Sequence, residues 1–319
     1  MKRQLLHNAL MGIAALFASI ALPAMAQAQT VEGYAVMNVA DKSMTFYYDA
    51  NKATHTEGTV YDFPDSNTGY PEWCLVYNRK IITTVTFDNS MANCHPTTTR
   101  MWFDGFEELT TINNIENLNT DKVTNMGGMF SGCKALKQLD VSAFKTQDVT
   151  FMDYMFDNCE LLTELDVSGF DTQKVTKMSF MFYNCKGLTT LDVSSFNTEA
   201  VEDVSDMFHD CESLTTIFCD ETWTTEMSIN MFKNCKNIKG GTDGTVTYDD
   251  ERIDIMMANP TTGYFTKKKS IAIDTPVADN KAETAYKGIY TLEGMRLGDD
   301  FDRLPAGIYI VNGEKVMKQ

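Results

Sequence analysis

An α/β solenoid, in which short parallel strands alternate with short helices, is the fold class that three observations predict. From Val123 the chain nearly copies itself: VTNMGGMFSGCKALKQLDVSAFKTQD, VTFMDYMFDNCELLTELDVSGFDTQK and VTKMSFMFYNCKGLTTLDVSSFNTEA are each 26 residues long, and VEDVSDMFHDCESLTTIFCDETWT is two shorter. Self-similarity at a fixed period of this size marks chains built from units that bury one another. Within each copy, apolar residues recur at a strand spacing in one half and at a helix spacing in the other.

Taken in order, the chain begins with Lys2 and Arg3, an apolar run MGIAALFASIAL and Ala24-Met25-Ala26, the pattern of a secretory leader cleaved near Gln27. The run is too short to span a bilayer, which needs about 20 apolar residues, so no transmembrane segment is expected in the mature chain. Residues 1–26 are therefore assigned to the leader. Cleavage removes two of the 27 basic side chains and none of the 44 acidic ones. A surface this acidic repels nucleic-acid phosphates and anionic lipids.

Residues 27–81 form an expected β cap. YAVMN and SMTFYYD alternate as two strands around ADKS, which reads as a hairpin, and DFPDSNTGYPEWC follows as a loop. Tyr70 and Trp73 in that loop are read as packing on the first copy rather than as a ligand platform.

Residues 82–266 are assigned to the repeats. Leucine-rich repeats carry LxxLxLxxN, and Leu136, Leu139 and Val141 have that spacing, as do Leu162, Leu165 and Val167, then Leu188, Leu191 and Val193. Counting outward, first positions fall at 82, 109, 136, 162, 188, 214 and 238, about seven coils of 24 to 27 residues. In the other half of the copy, Val123, Met126, Met129, Phe130 and Cys133 fall within one arc at 100° per residue. That predicts a helix of two or three turns, whose first residues equally suit a second short strand. The Met and Phe are read as core filler. The threonines at 120, 146, 172, 198 and 224 mark a shared turn in which the hydroxyl satisfies backbone groups.

Of the eight cysteines, Cys133, Cys159, Cys185, Cys211 and Cys235 share one repeat position. Parallel side chains about 4.8 Å apart do not meet disulfide geometry, so a ladder of buried thiols is expected. Residues 267–285 read as a charged linker. In residues 286–319, GIYTLEGMRL and GIYIVNGEKVMK read as a small β module with a hairpin at Asn312-Gly313.

Chemistry was sought and not found: HExxH, GxSxG, a phosphate-binding loop and a dinucleotide fingerprint are all missing, so no enzyme, catalytic residue or cofactor is expected. One constellation faces outward. Asp140, Asp166 and Asp192, with Ser142, Ser168 and Ser194, alternate with the inward residues of the strands. Stacked carboxylates repel unless compensated. Hydroxyls and turn amides supply that compensation in one reading; in the other, the ladder binds Ca²⁺ or basic side chains of a partner. The neighbouring variable positions Gln138, Glu164 and Thr190 complete the candidate binding set, and no metal-ligand spacing is present.

The unit VTxMxxMFxxCxxLTxLDVSxFxT resembles the repeat of the BspA-like leucine-rich repeat surface proteins, also called the mycoplasma lipoprotein-associated repeat. VTFDNSMANCHPTTTRMWFDGFEELTTI and the YAVMN to TFYYD hairpin are similar to the opening segments of those proteins, so the likeness covers about residues 31–266. It implies a secreted or cell-surface binding protein, an adhesin for host matrix proteins or other bacteria. The tail resembles the sorting signal of the type IX secretion pathway, which implies display on the outer cell surface. The rival expectation is a glycan-binding accessory protein, with Tyr70, Trp73, Trp102 and Trp223 as sugar platforms. Exposure of those rings along one open face favours sugar, and burial favours protein partners.

Overall fold

The computed structural model describes residues 30–64 and 69–268, together with the strand residues 289–290, 296–298, 307–311 and 314–318. The expected leader, most of the expected linker and Asn312-Gly313 lie outside the described residues. The chain divides into two units, Met1–Lys267 and Lys268–Gln319.

The first unit opens with the expected hairpin, β1 (Glu32–Asn38) against β2 (Ser43–Asp49) in antiparallel register, and β3 (Thr59–Asp62) pairs with the other edge of β1. The free edge of β2 takes β4 (Thr84–Phe87) in parallel, and β4 takes β5 (Thr111–Asn113). The result is a five-stranded mixed sheet in the order β3-β1-β2-β4-β5. Phe46 of β2 stacks on Phe87 and Trp102 with ring centres 5.1 and 5.2 Å apart, so the hairpin covers the first copies with aromatic surface.

The expected α/β solenoid, a leucine-rich repeat stack of parallel strands and short helices, is not what the chain builds. No α-helix occurs among the described residues, and the helical elements are 3₁₀ turns of three to five residues. Strands recur in the later copies only as β6 (Thr190–Asp192) and β7 (Thr216–Phe218), in one three-stranded sheet with β10 (Phe265–Thr266); β8 (Lys239–Gly240) pairs with β9 (Val246–Thr247). In the first two of the near-identical copies the Leu-Asp-Val segments share a single bridge, Gln138 to Glu164, and form no strand.

The physical reason lies in the backbone of the supposed helices. Gly128 and Gly132, Tyr154 and Asn158, Phe180 and Asn184, Asp206 and Asp210, and Asn230 and Asn234 all have positive φ. A left-handed residue every fourth position ends a helix before it starts. What forms instead is two consecutive turns per copy. The N–H groups of Met129, Ser131 and Cys133 bond back three residues, to Met126, Gly128 and Phe130. Those of Met126, Gly128, Phe130 and Gly132 cross to the carbonyls of Phe151, Asp153, Met155 and Asp157 in the next copy. Every second buried amide is thus satisfied by the neighbouring copy. Inward spacings of three and four are common to this double turn and to a helix.

The inward residues are those expected, and they stack in rows. Phe103, Phe130, Phe156, Phe182, Phe208 and Phe232 lie ring on ring at 5.5 to 5.8 Å. All eight cysteines are free and buried. The thiols of Cys133, Cys159, Cys185, Cys211 and Cys235 each donate to the carbonyl of a Phe in the preceding copy, at 2.9 to 3.3 Å. Burial pushes these thiols far up, which makes them inert packing. At the shared turn, the Thr146 hydroxyl donates to the Asp171 carbonyl and accepts from the Asp171 N–H, and Thr120 and Thr172 do the same for Lys145 and Asn197.

The second unit is a four-stranded antiparallel sheet, β11 (Ile289–Tyr290), β12 (Arg296–Gly298), β13 (Gly307–Val311) and β14 (Glu314–Lys318), in the order β12-β11-β13-β14. No helix among the described residues is long and apolar enough to cross a membrane.

Candidate binding surface

The Asp-Val-Ser segments present their polar residues outward as alternation requires. Leu139, Val141, Leu165, Val167, Leu191 and Val193 are buried. Gln138, Asp140, Ser142, Glu164, Asp166, Ser168 and Thr190 are exposed, and Asp192 and Ser194 are half-buried. Each aspartate closes a small turn of its own: one oxygen of Asp140, Asp166 and Asp192 accepts from the N–H of Ser142, Ser168 and Ser194 at 2.9, 2.9 and 3.0 Å. Bonding from Ser142, through its hydroxyl and then its amide, holds the Asp140 carboxyl below the usual range.

Four of the nine residues of the candidate set come together. Gln138, Asp140, Glu164 and Asp166 line an open cleft of about 550 Å³, with Thr110, Thr111 and Ile112 of the preceding copy on one side and Leu139 and Leu165 at its base. Thr190, Asp192 and the three serines are not part of its wall. Among the described residues, no group of three or more His, Cys, Asp or Glu side chains is placed to hold a metal ion. The cleft is shallow, acidic and hydroxyl-rich, a surface for hydrogen bonds and for cationic side chains rather than for a small apolar ligand.

Sequence reasoning missed a second polar group, set within the double turns. Asp157 is buried with its carboxyl between the Ser131 hydroxyl at 3.1 Å and the Asn158 amide at 2.8 Å, and burial pushes it up to about 6. Burial likewise raises Asp104 and Asp153. The signal was present: the position after the stacked phenylalanine is Asp104, Ser131, Asp157, Tyr183 and His209 in successive copies, so a carboxylate stands there in only some of them.

The tryptophans are not on the surface: Trp73 and Trp102 are fully buried and Trp223 is 2% exposed. Tyr70 is exposed, with the Arg100 guanidinium 5.3 Å from its ring centre. Comparison with known proteins finds a match to the family described as Mycoplasma protein of unknown function, DUF285, over residues 97–222 and 161–244. The match begins at Thr97, whose carbonyl accepts from the Thr124 N–H of the next copy. No curated protein matches the chain.

Proposed function

We propose that this chain is a secreted or cell-surface protein without catalytic activity that binds extracellular proteins, host matrix or bacterial surface proteins among them. One observation carries the reading: the apolar residues that make the copies alike are interior, while the variable Gln138 and Glu164 converge with the recurrent Asp140 and Asp166 in one open cleft. A repeated scaffold with its variation gathered on one face is the arrangement that binding proteins use. The leader pattern and the likeness of the repeat to BspA-like surface proteins support the location, and the likeness of the tail to a type IX sorting signal supports outer-surface display. The glycan reading loses its platform, since three of its four rings are buried.

The test is an array of matrix proteins, bacterial cells and glycans probed with the chain from residue 27. Binding to proteins or cells, weakened by Asp140→Asn with Glu164→Gln, is the expected result. A signal confined to glycans overturns it. For display, removal of residues 286–319 is expected to abolish surface protein, and undiminished surface protein removes the sorting role.

A further inference from the structure

The period breaks at the fourth copy, and a cleft of about 640 Å³ opens there, between residues 199–202 and 222–226 with Met256 on its margin. Its apolar part includes Ala200, the buried Trp223 and Met256, which is 75% exposed. Glu199, Glu202 and Glu226 line it, and no lysine, arginine or histidine does. None of the three glutamates joins an ion pair among the described residues.

The preceding copies show how this edge is normally closed. The bridges Asn125 to Phe151 to Lys177 to Asp203 to Met227 fix the register between copies, so the residue before each bridge forms one series. That series runs Thr124, Thr150, Thr176, then Glu202 and Glu226. The three threonine hydroxyls donate to the carbonyls of Thr97, Thr124 and Thr150, while the two glutamates put adjacent negative charges at the same place. Two residues earlier the series is Lys122, Asp148, Lys174 and Ala200. There the Lys174 ammonium meets the Asp148 carboxylate at 2.6 Å, with Lys122 also holding that carboxyl down. At the cleft the cation is replaced by alanine just as carboxylates appear, and like charges side by side in an open apolar hollow attract a cation from outside.

We propose that this cleft docks a lysine or arginine side chain of a partner protein, the cation taking the place that Lys174 holds one copy earlier and a flanking apolar residue resting on Trp223 and Met256. This rests on the protein-binding reading above but places a contact at a different cleft.

The test is fluorescence anisotropy of the full chain with a labelled, end-capped peptide of alternating leucine and lysine, and with its leucine-glutamate counterpart. Binding of the lysine peptide that weakens with salt, and about tenfold further in Glu202→Gln with Glu226→Gln, is expected, since removing two charges of so many hardly alters the general field. Ala200→Lys, on an exposed position, restores the cation within the chain and is expected to weaken binding as much; unchanged binding in that variant overturns the proposal. Glu57→Gln with Glu116→Gln, exposed carboxylates outside both clefts, is expected to leave binding unchanged. Loss in Asp140→Asn with Asp166→Asn and none in the Glu202 and Glu226 pair moves the cation site to the other cleft and overturns this proposal while the protein-binding reading stands. Equal binding of the glutamate peptide overturns it, as does displacement of the lysine peptide by calcium with the same dependence on Glu202 and Glu226. Thermal melts of each variant establish that the fold is intact.

Discussion

The three near-identical copies, residues 123–200, and the stretch that follows them, residues 201–258, are built on the same inward rows and differ at their edges. In the first region the shared turns at Thr146 and Thr172 are each closed by a threonine bonded twice to the next copy, and an ion pair spans the neighbouring edge. Where the first region meets the second, Thr198 makes no such pair of bonds; beyond it the copy is two residues shorter, and glutamates stand where threonines stood. Identity between copies therefore records packing and edge closure. Departure from it falls at the clefts proposed above to bind a partner.

That contrast can be broken from the largest effect downward. Phe156→Ala removes a fully buried ring from the middle of the stacked row and is expected to cost about 3–5 kcal/mol in urea unfolding. Thr146→Val, isosteric, leaves the Asp171 N–H and carbonyl without partners and is expected to cost about 1–3 kcal/mol, whereas Thr198→Val stays within about 0.5 kcal/mol. Equal costs for the two threonines would show that the regions are closed alike.

Asp157 sharpens the contrast through pH. Its folded pKa, about 6, lies above the ordinary 3.8, so the folded chain holds a proton that the unfolded chain has released. Its contribution is full below pH 4 and is lost as pH rises through 6. Wild-type stability is expected to fall relative to Asp157→Asn between pH 4 and 7 in paired denaturant melts, and parallel profiles would place the titration elsewhere. Smallest of all, Met256→Ala is expected to change stability by less than about 0.5 kcal/mol, being 75% exposed, while weakening the lysine peptide.

Much of this was legible in the sequence, for physical reasons that also set the limit. Alternation located the β1–β2 hairpin and put Leu139 and Val141 inside with Gln138 and Asp140 outside, because a side chain's face follows from its parity. The helix expected over Val123 to Cys133 failed because a double turn and a helix share inward spacings. The left-handed residues that decide between them were visible as Gly128, Gly132, Asn158 and Asn184, but Tyr154 and Phe180 at the same point disguised the rule. The Glu202–Glu226 cleft needs Met256, which reaches it from thirty residues beyond Glu226, and no local pattern announces that.

The sharing of amides between copies also has a mechanical side. A copy whose neighbour has been pulled away loses the partners of every second turn amide at once, so it does not hold its own shape. Under tension applied at the carboxyl end, the chain is expected to yield copy by copy, each event paying out about 26 residues, on the order of 90 Å of contour. Tethered as the proposed surface protein, the chain would lengthen in a series of small extensions, with the mixed sheet around β2 the last to give way.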